Sequence, residues 1–244
     1  MCRMARRVRI EDSRWEGTCG ILAPRQVPRL VHSPLIQRTA QMPAGMLNLP
    51  EDVARDLEAR LAATTPEDTS RGLFFLGVLD AVRFLGGADA VKRCLDLVGE
   101  TTDFIPMQTY PFPRFLRLSY VAAEQLSPLV GGHAAAQRQI GTQAMVDFLN
   151  SMFARDFVQQ TGGDPRRLLE LMHSGYRTAL NFGERSVEWL GPKAGRVIMK
   201  RSLMPVPYNE GIIQSALEVA GVQDVQVRGQ AQSLVDAIYD VSWS

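Results

Sequence analysis

Histidine and cysteine hold metals and activate carbonyl chemistry, and this sequence contains three of each. His32, His133 and His173 lie far apart, and none has a Cys, a second His or a carboxylate at ligand spacing. Cys2, Cys19 and Cys94 form neither a zinc spacing nor an even disulfide framework. Nucleophilic catalysis fares no better. There is no Gly-x-Ser-x-Gly turn, and Ser174 follows His173 directly, where helical neighbours point about 100° apart. Gly162-Gly163-Asp164 lacks the Lys-Ser/Thr of a phosphate loop and reads as a turn into a helix. Glu51-Asp52 and Glu67-Asp68 read as first-turn and loop charges. No catalytic constellation results. A protein that binds, rather than an enzyme, is the expectation.

Two groups of residues suit binding. Phe74, Phe75, Phe115, Phe148, Met152, Phe153, Met172 and Trp189 are core formers by type. At helix–helix positions, Met and Phe also make an adaptable apolar pocket if the core is not filled. Tyr176 and Tyr208 join the pocket candidates, Tyr208 from a Pro205–Glu210 turn placed to gate a space between helix and sheet. The second group, Tyr176, Arg177, Phe182, Glu184, Arg185 and Glu188, offers a polar and aromatic surface. Its plainer explanation is a helix C-terminus followed by cross-strand Arg–Glu pairs of small individual value.

The elements that position these residues follow from apolar spacing. Leu49–Ala63 reads as a polar helix with Val53, Leu57 and Leu61 on one side. Gly72–Leu85 is apolar nearly all round and belongs at the centre of a core; Gly86-Gly87 stops it, and Ala88–Val98 follows as a short helix. Pro113–Leu129 is helical. So is a long segment from about Ala134 to Gln159, where Ile140, Ala144, Phe148, Met152 and Phe153 recur at helical spacing. Asp164-Pro165 opens a further helix toward Thr178. The period then switches to a hairpin, Ser186–Leu190 and Val197–Met199, a helix from Pro207 to Gly221, and strands Val225–Arg228 and Val235–Trp243. Helices followed by β-β-α-β-β predict an α+β domain: a helical layer on a four-stranded antiparallel sheet.

Composition sets the outer bounds. The 244 residues are 45% apolar and 22% charged, with a formal charge of +1, so no global field recruits nucleic acid or an anionic membrane. Residues 1–41 hold eight arginines against three acids, net +5, which against the overall +1 leaves −4 for the remainder. Residues 1–45 show no sustained period and read as an Arg/Pro-rich flexible arm or a mis-assigned start, with 46–244 as a single domain. The cysteine usage and the lack of a membrane-length apolar run or signal-type apolar stretch point to the cytoplasm, with Cys94 as a buried small hydrophobe.

The C-terminal unit, PYNEGIIQSALEVAGVQDVQVRG followed by AIYDVSW, resembles the end of the vinyl-4-reductase-type ligand-binding domain. The front half, RGLFFLGVLDAVRFLGGADAVKRCLD and then TYPFPRFLRL, resembles the haem-nitric-oxide-binding domain. The whole stretch from about Arg71 to Trp243 is similar to a myxobacterial paralogous family of unknown function, through RGLFFLGVLDAVR, GGDPRRLLELMHSGYRTALNFGERSVEW and YDVSW. The resemblance implies a sensory or interaction module that binds an apolar small molecule or a protein partner, and it allows a homodimer. It also raises a haem-based gas sensor, with His173 in LLELMHSGY as the axial ligand. The haem relatives' Tyr-x-Ser-x-Arg propionate clamp has no counterpart around RVIMKRSLMP, where Lys200 and Arg201 offer only positive charge. The expected state is therefore one without a cofactor, with haem as the alternative, no metal and no membrane.

Overall fold

Helix α1 (Glu51–Ala62) starts behind Pro50, with Glu51 and Asp52 in its positive first turn. Its residue Leu57 is fully buried. The computed structural model describes residues 47–100 and 103–244; the arm read over 1–45 lies outside them. After α1 the chain forms a three-residue strand β1 (Thr69–Arg71), helix α2 (Gly72–Val98), strand β2 (Thr109–Pro111), which pairs antiparallel with β1, and helix α3 (Phe112–Val130). Gly87 interrupts α2 with φ 78°, a left-handed backbone that suits glycine, so the two helices read from the sequence abut at that residue.

Helix α4 (His133–Asn150) ends earlier than its apolar spacing predicts. The carbonyl of Phe148 accepts from both the backbone N–H (3.0 Å) and the hydroxyl (2.6 Å) of Ser151, which takes the acceptor that a continuing helix would give to residue 152. A 3-10 turn (Met152–Ala154) and a short helix α5 (Arg155–Thr161) follow. The segment read as one helix from Asp164 is two, α6 (Pro165–Glu170) and α7 (Met172–Ala179). The Asp164 carboxylate caps α6 by accepting from Arg166 N–H at 2.9 Å.

The β-β-α-β-β order holds: β3 (Glu184–Gly191), β4 (Ala194–Lys200), α8 (Val206–Val219), β5 (Gln226–Ala231) and β6 (Ala237–Ser242). The strands make an antiparallel sheet in the order β3-β4-β6-β5. Alternation sends Val197, Met199, Ala237, Tyr239 and Val241 to its buried face, where they meet the helical layer. The result is an α+β fold. Cys94 is wholly buried, and burial pushes its thiol up to about 12, as expected of a packing cysteine. No helix among the described residues is long and apolar enough to cross a membrane.

Helices α4 and α8 meet at glycines. A Cβ at Gly141 would stand 2.0 Å from the Tyr208 carbonyl oxygen, and one at Gly211 would stand 2.1 Å from that of Arg138. Beside this contact, the largely buried Glu210 binds Arg138 and accepts from Gly229 N–H at 2.7 Å, tying α8 to both α4 and β5.

Candidate functional site

Two internal spaces adjoin in the helical layer. The first, about 40 Å³, lies between α4, α7 and α8. Its walls include Phe74, Phe148, Phe157, Leu168, Met172 and Ile212, with scarcely a polar atom among them. Phe157 comes from α5 and covers this space: its ring lies 6.0 Å from that of Phe148 and would be 3.1 Å from a Cβ at Gly175. The second space, about 30 Å³, lies toward the sheet and is partly polar. Ser70, Arg185, Ser202, Tyr208 and Asn209 line it. Phe74, Tyr176, Ala179 and Ile212 belong to both linings and form the partition.

The partition is pinned by a buried chain of hydrogen bonds. Tyr176 Oη donates to Asn209 Oδ1 at 3.2 Å, and Asn209 Nδ2 donates to Ser202 Oγ at 3.1 Å. Burial pushes the Tyr176 phenol up to about 12 and drives Tyr208 higher still, so both stay neutral and neither is a base at physiological pH. The Arg185 guanidinium stacks over the Tyr176 ring at 4.1 Å and donates to the Phe182 carbonyl at 3.1 Å. Desolvation pulls its pKa below the usual arginine value.

The pocket residues expected from the sequence divide. Phe74, Phe148, Met172 and Tyr176 wall the first space, and Phe115 and Tyr208 join Phe74 and Tyr176 around the second. Met152 does not belong: the break at Ser151 turns it outward, 69% exposed. Phe153 sits in the 3-10 turn, and its side chain lies outside the described residues. Trp189 lines neither space. It packs against Trp243 under the Arg166 guanidinium (3.8 Å from the ring centre) and donates to Glu170 at 3.1 Å. Ala144, Met145 and Phe157 were missed because small or isolated residues carry no pocket signal of their own.

Arg185 was misread. Its cross-strand neighbour is Met199 rather than a glutamate, and no carboxylate among the described residues pairs with it. The signal existed in the alternation, since Val187 and Trp189 point inward and residue 185 shares their face.

Residues 63–244 match a family described as a protein of unknown function (DUF2378). The chain belongs to the DUF2378 family. Among curated proteins, none matches the sequence. The fold of this DUF2378 protein is similar to that of the Fe(II) unliganded H-NOX protein from K. algicida, with TM-score 0.57 and 13% identity over 71% of this chain and 96% of that one. It is also similar to the S. oneidensis H-NOX protein in the Fe(II)NO ligation state, with TM-score 0.55 and 12% identity over 71% of this chain and 99% of that one.

A haem in this DUF2378 chain would need an axial ligand facing a flat apolar cavity. His173 is exposed on α7, with Nδ1 accepting from the Arg185 backbone N–H at 3.3 Å, and it lines neither internal space. Each space holds only a few water-sized spheres of about 10–15 Å³, far short of a porphyrin. Of the cations near the expected clamp, Arg201 is held bidentately by Asp68 (2.9 and 2.7 Å) and Lys200 is exposed. The residues as arranged do not fit a haem. No group of three or more His, Cys, Asp or Glu among the described residues is placed to hold a metal ion.

Proposed function

We propose that this protein is a non-enzymatic sensory or interaction module whose cavity between α4, α7 and α8 takes an apolar small molecule. The observation that carries the reading is the first space itself, an apolar, partly open space beside the α4–α8 crossing, where Gly141 and Gly211 leave no room for a methyl group. A void of this lining stays dry and gains dispersion contacts when an apolar guest enters. Met145 and Met172 are unbranched and repack around a guest, which lets a small resting volume accept a larger molecule. The cover is separable too, since α5 makes its main contacts with the 3-10 turn and α6, its neighbours in sequence. Occupancy would thus be reported outward as a shift of α5.

The test is native against denaturing mass spectrometry of freshly purified protein, followed by hexan-1-ol titration of protein carrying 13C-methyl methionine. A mass excess seen only in the native spectrum, or hexan-1-ol shifts at Met145 and Met172, supports the reading. If there is neither, the function falls to a protein partner on a filled core, and the native spectrum then shows whether that partner is a second copy of the chain.

The fold likeness favours a second reading, a haem-based gas sensor with His173 as axial ligand. It requires α7 to turn His173 inward from the Arg185 backbone. Titration with hemin tests it: a haem absorption band lost in His173→Ala would carry it, and no band would remove it.

A further inference from the structure

Arg185 occupies a position on the buried sheet face where its neighbours are Val187, Met199, Ala237 and Tyr239. It is only 7% exposed. An arginine does not neutralise itself by losing its proton, so a buried one without a counter-charge bears its full desolvation cost. Among the groups that act on it electrostatically, the charged one is Arg177, of the same sign. The Tyr176 ring and the Phe182 carbonyl compensate in part. Its Nε–H has no hydrogen-bond partner among the described residues, although it is buried.

A second orphan lines the same space. Ser70 is 0% exposed, and its hydroxyl also lacks a partner among the described residues. Of the other polar side chains there, Asn209 is committed to Tyr176, Ser202 and the Met204 carbonyl. Two buried donors without a partner among the described residues, and one positive charge, therefore belong to side chains that line this space. A monoanion with two acceptor oxygens is the complement, and about 30 Å³ suits a carboxylate group. Beyond the shared wall of Phe74, Tyr176, Ala179 and Ile212 lies the apolar cavity, where the rest of such a molecule would go.

We propose that the second space binds the carboxylate of an apolar monocarboxylic acid through Arg185 and Ser70, with the hydrocarbon end in the cavity between α4, α7 and α8. The assignment rests on the apolar-ligand reading above and adds the ligand's headgroup to it. It also accounts for an arginine where an apolar residue would pack better.

The experiment compares hexanoate with hexan-1-ol, equal in chain length, by 13C-methyl methionine spectra. Met145 and Met172 report the apolar cavity, and Met204 reports the Arg185 space. In the wild-type protein hexanoate is expected to bind about tenfold more tightly than hexan-1-ol, as a hydrogen bond to a charged group warrants, and to move both sets of signals. Arg185→Met should bring the two affinities together, and Ser70→Ala should weaken hexanoate alone. If Arg185→Met does not fold, the wild-type comparison and Ser70→Ala still decide. Equal wild-type affinities, with Met172 still responding, would overturn the carboxylate and leave water as the occupant while the apolar-ligand reading stands. No response of Met172 to either probe would overturn both.

Discussion

At Gly141, helix α4 lies so close to α8 that an added Cβ would sit 2.0 Å from a backbone oxygen. One turn further on, at Ala144, Met145 and Phe148, the same helix walls an apolar cavity of about 40 Å³. Backbone meets backbone in the first region. In the second, long side chains lean over unfilled space. Protein interiors are close-packed, so a void beside so tight a contact is a local choice and not looseness of the whole core. The tight contact fixes α8 against α4, and that rigidity lets the neighbouring wall stay open without collapsing.

Substitution at the crossing should cost the most stability. Gly141→Ala forces a methyl group against the Tyr208 carbonyl, which cannot swing aside as a side chain can. A loss of about 3 kcal/mol, at the upper end of overpacking, is expected in chemical denaturation. The same experiment on the open side gives the opposite sign. Arg185→Met removes a buried charge that has no carboxylate partner among the described residues and replaces it with an apolar chain of similar length. A gain of about 1 kcal/mol is expected, because well-packed apolar residues outperform buried ions. A loss instead would mean that the Tyr176 stack and the Phe182 bond already balance the desolvation.

Gly175→Ala sharpens the contrast at smaller cost. Its Cβ would meet the Phe157 ring at 3.1 Å, a flexible side chain on a short covering helix. The helical gain of Ala over Gly, about 1 kcal/mol, roughly offsets the displacement of the ring. Stability should barely change, while the methyl signals of Met145 and Met172 shift as the cover moves. A loss as large as that of Gly141→Ala would show that α5 is a fixed part of the core.

Much of the fold was legible because long helices and half-buried strands repeat their apolar residues at 3.6 and 2. The glycine stop at Gly87, the β-β-α-β-β order and the inward set Ala237, Tyr239, Val241 all follow from that repetition. What failed depends on single hydrogen bonds or on very short elements. Met152 stays in phase with Phe148 on paper, and only the Ser151 hydroxyl on the Phe148 carbonyl ends the helix between them. Strands β1 and β2 are three residues each, too short for alternation to show. The site was half legible. Its aromatic walls are conspicuous by type, whereas its arginine was assigned to a surface pair until the face of β3 was known.

The smallest expected effect separates the two regions by pH. His133, at the start of α4, lies on the packed side, with Tyr120 5.5 Å away ring to ring and Glu124 and Gln137 at its nitrogens. Burial pulls its pKa below the ordinary 6.5, and the Glu124 carboxylate opposes this without cancelling it. The folded protein therefore favours the neutral ring. In the unfolded chain the ring takes up its proton near pH 6.5, so stability is complete above that value and declines as pH falls through the lower folded value. His133→Gln should flatten that decline in melting temperature between about pH 7 and pH 5. The methionine signals of the cavity should not follow it. If they move with His133, the packed end of α4 and the open end answer to one equilibrium, and the division between the two regions is wrong.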